Sequence, residues 1–196
     1  NGIKLACNSV YGFLKGYILI DQDLMSAVTS WGRNMLRIVK ETVASEFGAV
    51  RIIDWDKCKA AGIDPEELVM REGPVPEELC RYAKFRIICG DTDSVMVNCG
   101  PITLTECIRI GKQMSASCTA KFERPNTLNF EAIKLRGLWV NPKNYSAMEI
   151  EKLIIGERLV DALRRAKQSV KGMVAVRRDN APIASETQNH ILGMIV

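Results

Sequence analysis

Leu24, Val28, Trp31, Met35, Val39 and Val43 recur every three or four residues. That spacing predicts a helix over 22–47 with one apolar stripe, with Trp31 in the core. Gly48 is placed to end it. Residues 3–15 read as an earlier helix that stops near Gly16. Breakers at Gly62, Pro65, Gly73, Pro74 and Pro76 mark 49–84 as an insertion with a short helical piece inside it. Two β-rich runs, 85–89 and 94–97, flank Gly90-Asp91-Thr92-Asp93 and predict a hairpin. Thr103 or Thr105 could cap a helix over 103–122, where Ile108, Gly111, Met114, Ser115 and Cys118 mark a face with small residues. Strands are expected at 127–135, 137–141 and 144–151, a helix at 156–169 and a short strand at 172–177. A last helix starts near Pro182, a residue suited to a first turn. The order implies an α+β fold: an antiparallel sheet with the hairpin at its centre, backed by helices.

Length and composition fit one globular unit with a real core, or one large piece of a bigger enzyme: 196 residues, 47% hydrophobic. The formal net charge of +4 is only mildly basic, but it is unevenly spread. Residues 54–78 hold eight acids against Lys57, Lys59 and Arg71, whereas 134–178 hold eleven bases against four acids. A basic C-terminal third suits a surface lying along phosphates, and equally a solvated helix face. The seven cysteines form no C-x-x-C pair, which argues against a zinc site or a disulfide framework and for a reducing compartment. Cys7, Cys107 and Cys118 read as small buried residues. No apolar run approaches the ~18–20 residues that span a bilayer, so no membrane partner is expected.

Two places carry chemistry. Asp91 and Asp93 sit at or beside a tight turn, and two carboxylates that close repel unless a cation or proton intervenes. A hard divalent ion such as magnesium takes carboxylate oxygens and leaves positions for water and phosphate. D-x-D in a turn also fits a merely polar turn, or the metal site of a sugar-nucleotide glycosyltransferase. Lys4, Asn8 and Tyr11, spaced i, i+4, i+7, share a face of the first helix, with Gly12 beside them. Cation, amide, phenol and glycine together suit an incoming nucleotide and its base pair, and also an ordinary polar helix face. Trp55 and Trp139 read as packing residues in preference to base-stacking ones. His190, the single histidine, reads as a surface or packing residue.

Taken together, these segments resemble the family B (alpha-like) DNA polymerases. Lys4-Leu5-Ala6-Cys7-Asn8-Ser9-Val10-Tyr11-Gly12 matches the family's K-x-x-x-N-S-x-Y-G motif, and Gly90-Asp91-Thr92-Asp93-Ser94 matches Y-G-D-T-D-S. Asn141-Pro142-Lys143-Asn144-Tyr145 looks like a degraded K-K-R-Y. Lys171-Gly172 with Val176-Arg177-Arg178-Asp179-Asn180 resembles the stretch that enters the thumb. The four occur in the family's order. Cys89 replaces the usual Tyr, and Pro142 and Asn144 replace two basic residues. That divergence and the long 49–84 segment look more like a large, herpes-like DNA virus enzyme than a cellular one.

The resemblance implies a DNA-templated DNA polymerase that adds dNTPs to a primer 3′-hydroxyl with two magnesium ions. Asp93 would bridge the metals, and Asp91 would sit near them as a second catalytic carboxylate. Lys4, with Asn8, would meet the triphosphate, and Tyr11 and Gly12 would lie under the nascent base pair. Thr92, Lys143, Tyr145, Arg177 and Arg178 would contact primer–template DNA. Residues 1–48 would be the fingers C-terminal helix and a palm helix, 49–84 the insertion, 85–178 the palm, and 179–196 the start of the thumb. The chain is expected to begin inside an element and to lack the D-x-x-S-L-Y-P motif, whose aspartate is the other metal ligand. The isolated chain would then be inactive although its parent polymerises DNA. A processivity factor and a nuclear location, the host's if viral, follow from the same resemblance. A D-x-D glycosyltransferase and a non-catalytic DNA-binding module stand as the alternatives.

Overall fold

The computed structural model describes residues 22–71, 73–91, 93–141, 143–173 and 181–195, and of Asp91 it describes only the backbone. The fold is α+β. Helix α1 spans Gln22–Glu46, followed by strand β1 (Val50–Ile53), short helices α2 (Trp55–Ala60) and α3 (Pro65–Met70), and strand β2 (Cys80–Ala83). Strands β3 (Arg86–Asp91) and β4 (Ser94–Asn98) form the expected hairpin. Helix α4 (Leu104–Ala120) leads to strands β5 (Ile133–Asn141) and β6 (Asn144–Ile150), then helix α5 (Leu159–Arg165), strand β7 (Lys167–Lys171) and helix α6 (Pro182–Ile195). The strands make three small antiparallel sheets, β1-β2, β3-β4 and β5-β6-β7, so the β3–β4 hairpin pairs only with itself among the described residues.

The main core joins α1, β3, β4 and α4. Val39, Val43 and Phe47 meet Phe85, Met114, Cys118 and Phe122, with Ile87, Val95 and Val97 packed against them. The α1 stripe reaches this core only in its C-terminal half. Trp31 is 45% exposed, with Leu24 and Val28 exposed beside it, which corrects the expectation of a core tryptophan. Periodicity assigns a helix face, but it cannot say how far along the helix another element covers that face.

Residues 50–83 fold around their own cluster of Ile53, Cys58, Leu68, Val69 and Leu79. Among the described residues, three polar contacts tie this unit to the rest. The Arg81 guanidinium donates to the Pro101 carbonyl at 2.7 Å. Glu66 accepts the Leu159 backbone N–H at 3.0 and 3.2 Å, putting a carboxylate on the first turn of α5, which lacks a side-chain cap of its own. Glu106 joins the cap of α4: the Thr103 hydroxyl accepts from the Glu106 N–H and donates to its carboxylate at 2.8 Å. The other Glu106 oxygen accepts the N–H of buried Ile53 at 2.9 Å. Glu106→Ala strips that N–H and the Thr103 hydroxyl of their carboxylate partner, while the backbone N–H of residue 106 still reaches the Thr103 cap. The expected cost is about 2 kcal/mol, or a melting midpoint lower by roughly 4–8 °C for a chain of this size, read by calorimetry.

Two expectations are corrected in the second half. Residues 127–132 form no strand, because Leu128 bonds to helix side chains instead of a ladder: its N–H donates to Thr119 Oγ1, and its carbonyl accepts from Ser115 Oγ. The helix expected at 156–169 is only Leu159–Arg165. Its end is taken by a strand, Lys167–Lys171, paired along β6 from Tyr145↔Lys171 to Glu149↔Lys167, while most of the strand expected at 172–177 lies outside the described residues. The small-residue face of α4 has a use: a Cβ on Gly111 would come within 2.6 Å of the Phe130 ring. Cys118 is buried as expected. Cys107 is only half-buried, and its thiol meets that of Cys99; accepting that hydrogen bond holds Cys107 below the usual thiol range, while donating it pushes Cys99 up.

Candidate active-site hairpin

The hairpin turn is positioned by both faces of β3–β4. Successive strand residues point to opposite faces. Ile87, Val95 and Val97 pack into the main core, and Gly90 lies beside Leu36 of α1, so one face rests on helices. Met96 faces the other way and meets Trp139 of β5, whose indole N–H points at the Met96 sulfur at 3.1 Å. In the hairpin register Gly90 pairs with Val95 and Asp91 with Ser94, and Asp93 is an exposed turn residue just ahead of β4. The turn is thus carried on a clamped strand pair, which suits a group that must hold a charged ligand in fixed geometry.

The β5–β6 hairpin is the second element. Asn141 pairs with Asn144, and the Asn141 side chain accepts the Lys143 N–H at 3.0 Å, leaving Lys143 exposed near the tip. With its amide turned to suit its neighbours, Asn144 donates to the carbonyls of Lys143 at 3.0 Å and Gly172 at 2.9 Å. Gly172 has φ +68°, and any side chain there would run into the Lys143 carbonyl, so glycine is required where the chain leaves β7. Tyr145 is 7% exposed. Its ring stacks on Trp139 with centroids 6.2 Å apart, and Lys134 Nζ lies 5.1 Å from its centroid.

Of the residues singled out in the sequence, Asp93 and Lys143 are exposed at two hairpin ends, and Tyr145 is packed beneath the second. Lys4, Asn8, Tyr11, Gly12, Thr92, Arg177 and Arg178 lie outside the described residues, as does the Asp91 side chain. Trp139 and Met96 are what sequence reasoning missed as a pair. They sit on separate hairpins, and no spacing rule links them. The basic excess of the C-terminal third is partly spent internally: Lys134 pairs with Glu149, Arg165 with Glu157 and Arg164 with Asp161. Trp55 is covered by Lys59 at 5.9 Å, and His190 is exposed on α6.

An exposed carboxylate on a rigid turn is the kind of hard oxygen donor a divalent cation takes. Among the described residues no three His, Cys, Asp or Glu side chains gather as a metal site. Among the same residues no helix is long and apolar enough to cross a membrane.

A clamped antiparallel hairpin with an acidic turn, helices on one face and a lysine-tipped hairpin on the other, defines an α+β unit organised around that turn. The whole chain, residues 1–196, matches the model of DNA polymerase family B, and the chain belongs to that family. It is 28% identical over 192 residues to the DNA polymerase delta catalytic subunit of Drosophila melanogaster, a match that covers 97% of this chain and 14% of that protein. It is 26% identical over 196 residues to the Candida albicans DNA polymerase delta catalytic subunit, covering 99% of this chain and 15% of that protein. These relatives are eukaryotic enzymes, and the chain spans about one seventh of their length.

Proposed function

We propose that this chain is the part of a DNA-directed DNA polymerase that holds the catalytic acidic turn and one wall of the nucleotide site. The observation that supports this most is Gly90-Asp91-Thr92-Asp93-Ser94 on a hairpin clamped from both faces, in a chain that matches the polymerase family from end to end. Family membership leaves no place for the sugar-nucleotide reading of D-x-D.

Asp93 supplies a carboxylate to divalent ions, taken to be magnesium, and Asp91 adds negative charge at their edge. When bound, two such ions lower the cost of charge on the attacking and leaving oxygens of phosphoryl transfer. The remaining work is positioning. Lys4 meets the triphosphate as a point charge, with Asn8 supporting it. Tyr11 and Gly12 shape the floor under the new base pair, flat on one side and without a Cβ on the other. Thr92 and Lys143 contact primer–template DNA, Lys143 by its minor groove, and Arg177 and Arg178 meet its backbone. Tyr145 contributes by supporting the Lys143 hairpin, its ring being engaged by Trp139 and Lys134. In this reading 1–48 and 85–178 are fingers and palm elements, 49–84 is an appended unit, and 179–196 begins the thumb. A processivity factor and a nuclear site of action belong to the complete enzyme.

Primer extension tests the assignment. The complete polymerase extends a primed template with dNTPs, whereas the isolated 196-residue chain, which lacks the second aspartate motif, does not. Lys4→Ala in the complete enzyme raises the dNTP KM by about 10-fold or more with a smaller change in maximal rate, as loss of a charged phosphate contact requires. Extension by the isolated chain, or an unchanged KM, would contradict these roles.

A further inference from the structure

The apolar contacts of the β3–β4 hairpin with the main core come from the helical side. On the opposite face the indole N–H of Trp139, 3.1 Å from the Met96 sulfur, joins it to the second hairpin. Met96 pairs with Cys89, and its face is shared by Ser94, which sits opposite Asp91. Asp93 lies three residues from Met96 along the chain, roughly 10 Å at a strand's rise. Trp139 is itself fixed from several sides. It is paired with and stacked on Tyr145, and it packs across Gly137, where any side chain would displace it. Tyr145 is held in turn by Lys134, which pairs with Glu149, and by the β6–β7 register. The three-stranded sheet is therefore a rigid base, and Trp139 carries a polar contact from it to the acidic hairpin.

We propose that Trp139 is a positioning residue for polymerisation: its contact with Met96 sets the acidic turn against the Lys143 hairpin, so that the metal-binding and duplex-facing elements keep one spacing. This rests on the function proposed above. It deepens that reading by adding a residue that touches neither nucleotide nor metal. A thioether is a weak acceptor, so little fold stability hangs on the contact. Phosphoryl transfer is sensitive to misplacement of about 1 Å, so the rate is where its loss shows.

The test uses the complete polymerase with Trp139→Phe, which keeps a ring and removes the N–H, with Met96→Leu, which keeps bulk and removes the sulfur, and with both. Single-turnover dNTP incorporation is measured beside dNTP and DNA affinity. Each single change is expected to lower the incorporation rate by about 3- to 10-fold, in line with the strength of sulfur–aromatic contacts. The double variant is expected to be no slower than either single one, because both remove the same contact. Both affinities stay within about 2-fold, since only a transition-state placement is lost. Met96→Gln, which offers an amide oxygen to the indole, recovers part of the rate. Wild-type rates in both single variants, fully additive losses, or a defect confined to DNA affinity would overturn the proposal. Incorporation that survives Asp93→Ala would instead sink the assignment of the turn, so the two failures are read separately.

Discussion

Asp93→Ala is expected to abolish DNA synthesis by the complete polymerase, lowering single-turnover nucleotide incorporation by about 10³-fold or more. The size follows from what the carboxylate is asked to do. Phosphoryl transfer spreads negative charge over the attacking and leaving oxygens, and the cations that offset it need a hard, preorganised oxygen ligand. In the proposed role alanine would leave them one ligand short, on strands held by the α1 and α4 core and by Trp139. The same change barely affects folding. Asp93 is exposed at a turn, and surface substitutions of that kind usually fall within about 0.5 kcal/mol. Loss of synthesis with an unaltered melting curve is therefore the expected pair of results. Parallel loss of both would point to a structural role instead.

Phe85→Ala has the opposite profile. Phe85 is 2% exposed, stands directly before β3, and packs among Val39, Val43, Phe47, Met114, Cys118 and Phe122. Its backbone N–H donates to the Phe47 carbonyl at 3.3 Å, so ring and main chain both anchor the entry to the hairpin. Removing the ring loses its transfer free energy and leaves a cavity between two helices that cannot fully close, a cost of about 3–5 kcal/mol. The melting midpoint should fall by roughly 6–20 °C. At temperatures where the variant stays folded, nucleotide KM should be close to normal, because nothing in contact with substrate has changed. Calorimetry and primer extension on the same preparation separate the two effects.

The elements read well from sequence were those whose signals are local. Helix α1 and helix α4 end within two residues of expectation, since periodicity, a threonine cap and a closing glycine or proline lie in the segment itself. The hairpin and the start near Pro182 were legible for the same reason, although Gly90 and Asp91, expected in the turn, belong to β3. Strand β7 was not. Lys167-Gln168-Ser169-Val170-Lys171 has no strand signal of its own and becomes a strand by pairing with β6. Residues 127–132 failed in the opposite sense, because side chains of α4 claimed the backbone of Leu128 before a ladder could. Trp31 shows that a stripe says nothing about where its cover ends. One signal was present and passed over: Thr103 and Glu106 have the spacing of a capping box, although the reach of Glu106 to Ile53 is visible only in three dimensions. At the site, sequence identified the acidic turn and the Lys143 hairpin, but the Trp139–Met96 contact between them is tertiary and leaves no pattern in the chain.

Locating the cation directly is the most searching measurement. The complete polymerase would be crystallised with primer–template, a non-hydrolysable dNTP and manganese in place of magnesium, and the metal found by its anomalous signal. The expected result is a peak about 2.1 Å from an Asp93 carboxylate oxygen, between that turn and the nucleotide phosphates. A metal bound to the phosphates with the Asp93 carboxylate turned away, beyond about 4 Å and without a bridging water, would contradict it.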